Sequence, residues 1–122
     1  MATENTTTSV NSSTTIIIQE ANVGKKIDYE INGNIISFNG GELALDLSKR
    51  QLDMANTTAI SSDYYNLLAV GISKRRVATI DIPARTYKRV PVENGSSGMK
   101  VYTRVANPFD ISKCVLTLWS VQ

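Results

Sequence analysis

The chain has 122 residues, of which 42% are hydrophobic and 20% charged, and its formal net charge is +2. A chain of this length and composition folds as one domain around a single core. It contains one cysteine and no histidine, which excludes an intrachain disulfide, histidine metal sites, and Ser-His-Asp or Cys-His catalysis.

Residues 1–14 are rich in Thr, Ser and Asn, with Val10 as the one large aliphatic side chain. This composition cannot bury enough apolar surface to offset the entropy lost on ordering. We therefore expect an extended polar arm over 1–14, followed by one β domain over 15–122. Because the start has no signal-peptide pattern and no apolar run approaches ~20 residues, we expect a soluble protein kept in a cytoplasm.

The first half of the domain consists of short β-type runs separated by turn residues. The run over 14–19 is β-branched at its first five positions, which predicts a strand. Apolar and charged residues alternate over 26–31, which predicts a half-buried strand. Asn32-Gly33 follows and predicts a type I′ hairpin turn, because both central positions of that turn need positive φ. Return strands are predicted over 34–38 and 42–47.

The second half is less regular at first. Residues 48–63 predict one or two helical turns and then a polar loop. Further strands are predicted over 64–73, 77–82, 87–92, 99–105 and 111–121, with Lys74, Arg75 and Arg76 joining the first two. About eight closely spaced strands indicate an all-β fold: an antiparallel β-sandwich of immunoglobulin-like or jelly-roll type, or a small barrel.

Carboxylates are the remaining candidates for acid–base chemistry. They lie on neighbouring predicted strands, as Asp28, Glu30, Glu42 and Asp46. Glycoside hydrolysis needs two such groups facing one substrate, but here they alternate with apolar residues, which indicates a solvated sheet face. We expect no catalytic residue, no metal ligand and no cofactor.

The remaining special side chains are interpreted as packing residues. Cys114 lies in an apolar run and is predicted to be a buried hydrophobic residue, and Trp119 is predicted to fill the core. Tyrosines in strands serve packing and interfaces equally well, so they do not separate a sugar-binding module from a scaffold. They are Tyr64, Tyr65, Tyr87 and Tyr102.

Charge is distributed unevenly along the chain. Residues 1–73 hold four basic and eight acidic side chains, whereas residues 74–122 hold nine basic and three acidic ones. A hairpin can gather much of the positive charge into one interaction patch, made of Lys74, Arg75, Arg76, Arg85, Lys88 and Arg89. Such a patch can follow nucleic-acid phosphates, meet an acidic protein, or protect a sheet edge from aggregation.

A protein partner agrees best with these features. Opposite charge on two parts of one small domain favours head-to-tail packing of copies or docking on a larger assembly. A polar arm that orders on contact adds to such an interface, and its expected contact residues are Thr6, Thr7, Thr8 and Val10. The modest net charge and the lack of an aromatic-rich RNA-binding strand or a basic recognition helix argue against nucleic acid.

A Thr/Ser/Asn-rich arm followed by a compact β-sandwich without catalytic residues resembles the small accessory proteins of tailed-bacteriophage virions. These include capsid decoration or cement proteins, head-fibre bases and tail adaptors. The resemblance is architectural and spans the whole chain. It implies a virion structural protein that stabilises or decorates a capsid or tail by protein contacts through its arm and sheet edges. Its partners would be other subunits, in a homo-oligomer or larger assembly, with no membrane and no small-molecule substrate.

Two alternatives stay open. A carbohydrate- or receptor-binding β-sandwich would present a groove with at least two exposed coplanar aromatic rings. A nucleic-acid-binding small β-barrel would bind through Lys74 to Arg89 with a steep dependence on salt.

Overall fold

A computed structural model describes residues 15–92 and 101–121, and the expected arm over 1–14 lies outside these ranges. The described residues form an all-β protein with ten strands and no α-helix. The strands are β1 Ile17–Glu20, β2 Tyr29–Asn32, β3 Ile35–Phe38, β4 Leu43–Asp46, β5 Asn56–Ser62, β6 Leu68–Val70, β7 Arg75–Ile82, β8 Tyr87–Val92, β9 Val101–Ala106 and β10 Val115–Leu118. Short 3₁₀ turns span Asn39–Gly41, Leu47–Arg50 and Ile111–Lys113.

The larger sheet has five strands in the order β1-β10-β7-β5-β6. All its pairs are antiparallel except β1 with β10, which run parallel. The central strand β7 is buried from Val77 to Ile80, as expected for a strand covered on both faces. In the described chain β1 and β6 form the free edges, so the sheet is open.

The smaller sheet has three antiparallel strands in the order β2-β3-β4. Asn32 pairs with Ile35, so the loop between β2 and β3 consists of Gly33 and Asn34. Gly33 has φ 64°, whereas Asn34 keeps an ordinary negative φ. The type I′ turn centred on Asn32-Gly33 is therefore wrong: glycine occupies the first central position, which is the requirement of a type II′ turn.

The core lies between the two sheets and confirms the antiparallel β-sandwich. The smaller sheet contributes Ile36, Phe38 and Leu45, and the larger one contributes residues such as Ile80 and Leu116. Cys114 is fully buried within the same cluster, which confirms its predicted place among the hydrophobic residues. No residue of β8 or β9 belongs to this cluster.

Three sequence expectations are wrong. Residues 56–62 form the long strand β5 instead of a polar loop, because Thr58, Ile60 and Ser61 are buried beside β7. The strand expected over 64–73 is shorter in the structure and consists of β6, because a tight loop occupies 63–67. Trp119 follows β10 and is only half-buried, outside the core cluster.

The described residues contain no helix with the length and apolar character needed to cross a membrane.

Adjacent isoleucines on β3 test the orientation of the smaller sheet. Ile36 is 0% exposed and Ile35 is 43% exposed, so they lie on opposite faces. We expect Ile36→Ala to lower the free energy of unfolding by about 2–5 kcal/mol, because it leaves a cavity in the core. Ile35→Ala is the matched control and should change it by less than about 1 kcal/mol. Equal losses in urea unfolding would contradict the register.

Candidate functional site

A two-stranded ribbon, formed by β8 and β9, stands apart from the two packed sheets. Its strands pair antiparallel with each other, from Tyr87 opposite Ala106 to Val92 opposite Val101, and with no other described strand. None of the residues in these two strands is buried. An isolated two-stranded hairpin is at best marginally stable in water. The ribbon therefore depends on its attachment to the rest of the chain.

Contacts with the segment between the Leu47–Arg50 turn and β5 hold the base of the ribbon. The backbone N–H of Arg85 donates to the Leu52 carbonyl at 2.7 Å, and its guanidinium donates to the Gln51 carbonyl at 2.8 Å. Asp53 Oδ1 accepts from Arg85 Nη1 at 3.0 Å and from the Tyr87 hydroxyl at 2.5 Å. These contacts fix where the ribbon leaves the sandwich.

One face of the ribbon is aliphatic. Because successive side chains of a strand point to opposite faces, residues two apart and those paired across the strands share a face. That face carries Lys88, Val90, Val92, Val101, Thr103 and Val105. Val92, Val101 and Val105 are each about 40% exposed (42%, 38% and 42%). We define the valine face as the surface formed by Val90, Val92, Val101, Thr103 and Val105.

The opposite face pairs arginine with tyrosine. Arg89 and Arg104 lie directly opposite each other in the register. The Arg89 guanidinium carbon lies 4.3 Å from the centre of the Tyr102 ring, and that of Arg104 lies 3.9 Å from the Tyr87 ring. Each arginine thus covers a tyrosine on the other strand through a cation–π contact. We call these four residues the arginine face.

Strand β7 divides the basic patch expected from the sequence. Ser62 pairs with Arg75 and Asn56 with Ile82, so the two ends of β7 lie at opposite ends of the sandwich, roughly 20 Å apart. One basic group lies at the end of the sandwich where β7 begins and consists of Lys74, Arg75 and Arg76. The other lies at the base and in the ribbon and consists of Arg85, Lys88 and Arg89. The single patch is therefore wrong, although an interaction role of each group stays a prediction.

The expected residues of the first group contact nearby aromatic and backbone groups. Lys74 Nζ lies 4.4 Å from the centre of the Tyr64 ring, and the Arg76 guanidinium carbon lies 5.4 Å from that of Trp119. Arg75 Nη1 donates to the Val121 carbonyl at 3.2 Å. The expected arm contacts Thr6, Thr7, Thr8 and Val10 lie outside the described residues.

A second exposed apolar surface lies at the end of the sandwich away from the ribbon base. Asp63 Oδ1 accepts from the backbone N–H groups of Tyr65 and Leu67, which closes a tight loop. Tyr64 and Tyr65 are 78% and 82% exposed. Ile72, in the following loop, is 83% exposed. We call the surface formed by Tyr64, Tyr65, Leu67 and Ile72 the tyrosine loop patch.

The four candidate carboxylates do not converge. Glu30 is exposed on the outer face of the smaller sheet, and Asp28 precedes its strand. Glu42 Oε2 accepts from the Leu68 N–H at 2.7 Å, which holds its pKa below the usual range. Asp46 Oδ1 accepts from the Ser48 hydroxyl at 2.6 Å and from its N–H at 3.0 Å, which also lowers its pKa. Their contacts are structural ones.

Within residues 15–92 and 101–121 there is no group of three or more His, Cys, Asp or Glu placed to hold a metal ion. An open depression of about 320 Å³ lies beside the start of β5 and the end of β7. Its single carboxylate, Asp81, accepts from the Thr57 hydroxyl at 2.6 Å. Lys113 also lines this depression. The arrangement shows no pair of carboxylates facing a common space.

The chain matches no protein-family model, no curated protein and no solved structure. Geometry and charge therefore carry the functional argument.

Sequence reasoning identified β8 and β9 but not their isolation from the core. The alternation at Val101, Thr103 and Val105 is visible in the sequence, and it is the usual pattern of a strand with one buried face. Only the pairing with Val90 and Val92, on a ribbon that pairs with neither sheet, shows that this face is exposed. The exposed valine face is thus a candidate surface that sequence reasoning missed.

Acid should loosen the base of the ribbon through Asp53. The hydrogen bond from Tyr87 and the contact with Arg85 lower the pKa of Asp53. A carboxylate with a lowered folded-state pKa stabilises the fold above its ordinary pKa of 3.8, and this contribution is lost as pH falls through the folded-state pKa. We expect the amide resonances of Arg85 and Tyr87 to titrate below about pH 4 in NMR spectra.

Asp53→Asn should remove this titration. Asp63→Asn, in the loop at the other end, is the control and should leave it unchanged. Persistence of the same titration in Asp53→Asn would show that another group holds the ribbon.

Cys114 should be inert in the folded protein. Burial raises the pKa of its thiol from 9.0 to about 11. Because the thiolate is the reactive form, Ellman's reagent should react at mildly alkaline pH only after denaturant is added. The raised pKa also means that the contribution of this thiol to stability is present below pH 9.0 and is lost as pH rises toward 11. Rapid labelling without denaturant would contradict the burial.

Proposed function

We propose that this chain is a non-catalytic structural protein that joins a protein assembly through the ribbon of β8 and β9. The observation that carries the proposal is the valine face, which is exposed on a ribbon that no other described strand pairs with. An aliphatic surface on an unsupported hairpin gains free energy when a partner removes it from water.

The form of the ribbon supports a protein partner. Main-chain pairing and aliphatic side chains are the features by which extended segments bind other proteins. The base contacts of Arg85 and Asp53 hold the ribbon in a defined position, which lowers the entropy lost on docking. A ribbon that is held at its base and exposes an apolar face is suited to docking on another protein.

The expected setting of this assembly is a virus particle. The support is the architectural resemblance to accessory proteins of tailed-bacteriophage virions, together with the polar arm that the sequence predicts over 1–14. In that setting the protein stabilises or decorates the particle, and the ribbon provides contacts additional to those of the arm. Electron microscopy of particles that contain the chain would test this location.

A second candidate function is supported by the tyrosine loop patch. Tyr64 and Tyr65 are the most exposed aromatic side chains of the described chain, and Tyr64 is accompanied by Lys74. Exposed tyrosines on a rigid loop are typical of carbohydrate- or receptor-binding surfaces. Glycan-array binding that Tyr64→Ala and Tyr65→Ala abolish, with oligomeric state unchanged, would favour this role.

The valine face can be tested by isosteric substitution. We expect wild-type protein to self-associate or to bind its assembly, and the double variant Val90→Thr with Val105→Thr to lose about tenfold or more in affinity, because hydroxyl groups replace methyl groups at the contact. Size-exclusion chromatography with light scattering measures self-association, and pelleting with particles measures docking.

Val23→Thr is the matched control, since Val23 is 95% exposed and far from the ribbon in sequence. It should leave association unchanged. If the double variant folds normally and associates as well as wild type, the ribbon is not the docking surface.

A further inference from the structure

The arginine face contains two like charges at directly opposed positions. Like charges across a strand pair destabilise a sheet, so the position of Arg89 opposite Arg104 needs a compensating interaction. Among the described residues the ion pairs are Lys26 with Glu20 and Arg85 with Asp53, and neither includes these two arginines. Arg104 contributes to the lowered pKa of Asp53, but Asp53 Oδ1 already accepts hydrogen bonds from Arg85 and Tyr87. Within the part of the chain that the structure describes, no carboxylate forms an ion pair with Arg89 or Arg104.

The tyrosines separate the two guanidinium groups. Arg89 leans over Tyr102, which lies opposite Pro91, and Arg104 leans over Tyr87 in the other direction. The cross-strand pairs that contain Tyr87 and Tyr102 are four residues apart along the ribbon, which corresponds to about 14 Å. The ribbon thus presents two cations, each lying over a tyrosine ring, and among the described residues neither guanidinium takes part in an ion pair.

The outer face of the smaller sheet presents two anions at a similar spacing. By alternation and register this face carries Glu30, Asn32, Ile35, Ser37, Ala44 and Asp46. Glu30 on β2 and Asp46 on β4 are separated by two strand spacings and one two-residue step, which corresponds to about 12 Å. Neither carboxylate takes part in an ion pair among the described residues. Ile35 lies between them and is 43% exposed.

We propose that the arginine face of one copy binds the outer face of the smaller sheet in a second copy, with Arg89 and Arg104 directed at Glu30 and Asp46. This inference rests on the proposed function and names the partner of the ribbon. The contact is heterologous, because it joins two different surfaces, so repeated contacts build rings or filaments unless two copies dock reciprocally. Complementary charge sets the register of docking, and Ile35 provides an apolar centre.

Nucleic acid is the less favoured occupant of the same face. Base stacking needs free aromatic faces, but the guanidinium groups of Arg89 and Arg104 already cover Tyr102 and Tyr87. A second copy of the chain supplies both the carboxylates and an apolar surface.

Paired charge reversal tests the proposal. The ribbon variant carries Arg89→Glu and Arg104→Glu. The sheet variant carries Glu30→Lys and Asp46→Asn, in which Asn keeps the side-chain oxygen that accepts from Ser48. We expect each variant alone to self-associate at least about tenfold more weakly than wild type in light scattering, because like charges then face each other.

Mixing the two variants in equal proportions should restore association. The reversed ribbon then meets a basic sheet face, and the unchanged ribbon meets an acidic one. Arg75→Glu with Lys113→Glu is the control, which makes the same change in charge as the ribbon variant, but away from both surfaces, and should leave association unchanged. Circular dichroism of each variant establishes folding, and the mixing result does not depend on either variant alone.

The outcomes separate the two proposals. If the variants and their mixture associate as wild type does, while the Val90→Thr and Val105→Thr variant does not, the ribbon docks through its valine face and the charge pairing is wrong. A wild-type protein that stays monomeric, but binds duplex DNA with a steep salt dependence that the ribbon variant loses, overturns the proposal in favour of nucleic acid. Restored association in the mixture supports it.

Discussion

Apolar burial between the two sheets is the interaction on which the rest of this structure depends. Ile36 and Phe38 of the smaller sheet meet Ile60, Ile80 and Leu116 of the larger one, and all five are completely buried. The core is closed without β8 and β9, which contribute no residue to it. The strands that complete the fold and the strands that are free to bind are therefore different parts of the chain.

This separation explains the composition of the ribbon. A hairpin that packs on the core has one apolar and one polar face, and the apolar face is buried. The present ribbon keeps that alternation, but its apolar face is exposed and its polar face concentrates positive charge at Arg89 and Arg104. Both faces are unfavourable for an isolated protein. The arginine face becomes favourable when carboxylates cover it, and the valine face when aliphatic side chains cover it.

The carboxylates are used for local structure. Asp46, Asp63 and Asp110 each accept from a backbone N–H two residues later, which is the contact of an Asx turn. Asp53 holds the base of the ribbon through Arg85 and Tyr87. These contacts explain why so many acidic residues lie near turns. Glu30 is exposed on the outer sheet face and takes part in no ion pair among the described residues.

The sequence alone determined the all-β class, most strand positions and the burial of Cys114, because alternation and turn residues are local signals. It did not reveal β5, whose Thr and Ser residues are buried only through pairing with β7. It also placed six basic residues in one patch, although the length of β7 separates Arg76 from Arg85. Which apolar face is covered, and which charges lie together, depends on contacts between distant segments. Only the tertiary structure decides them.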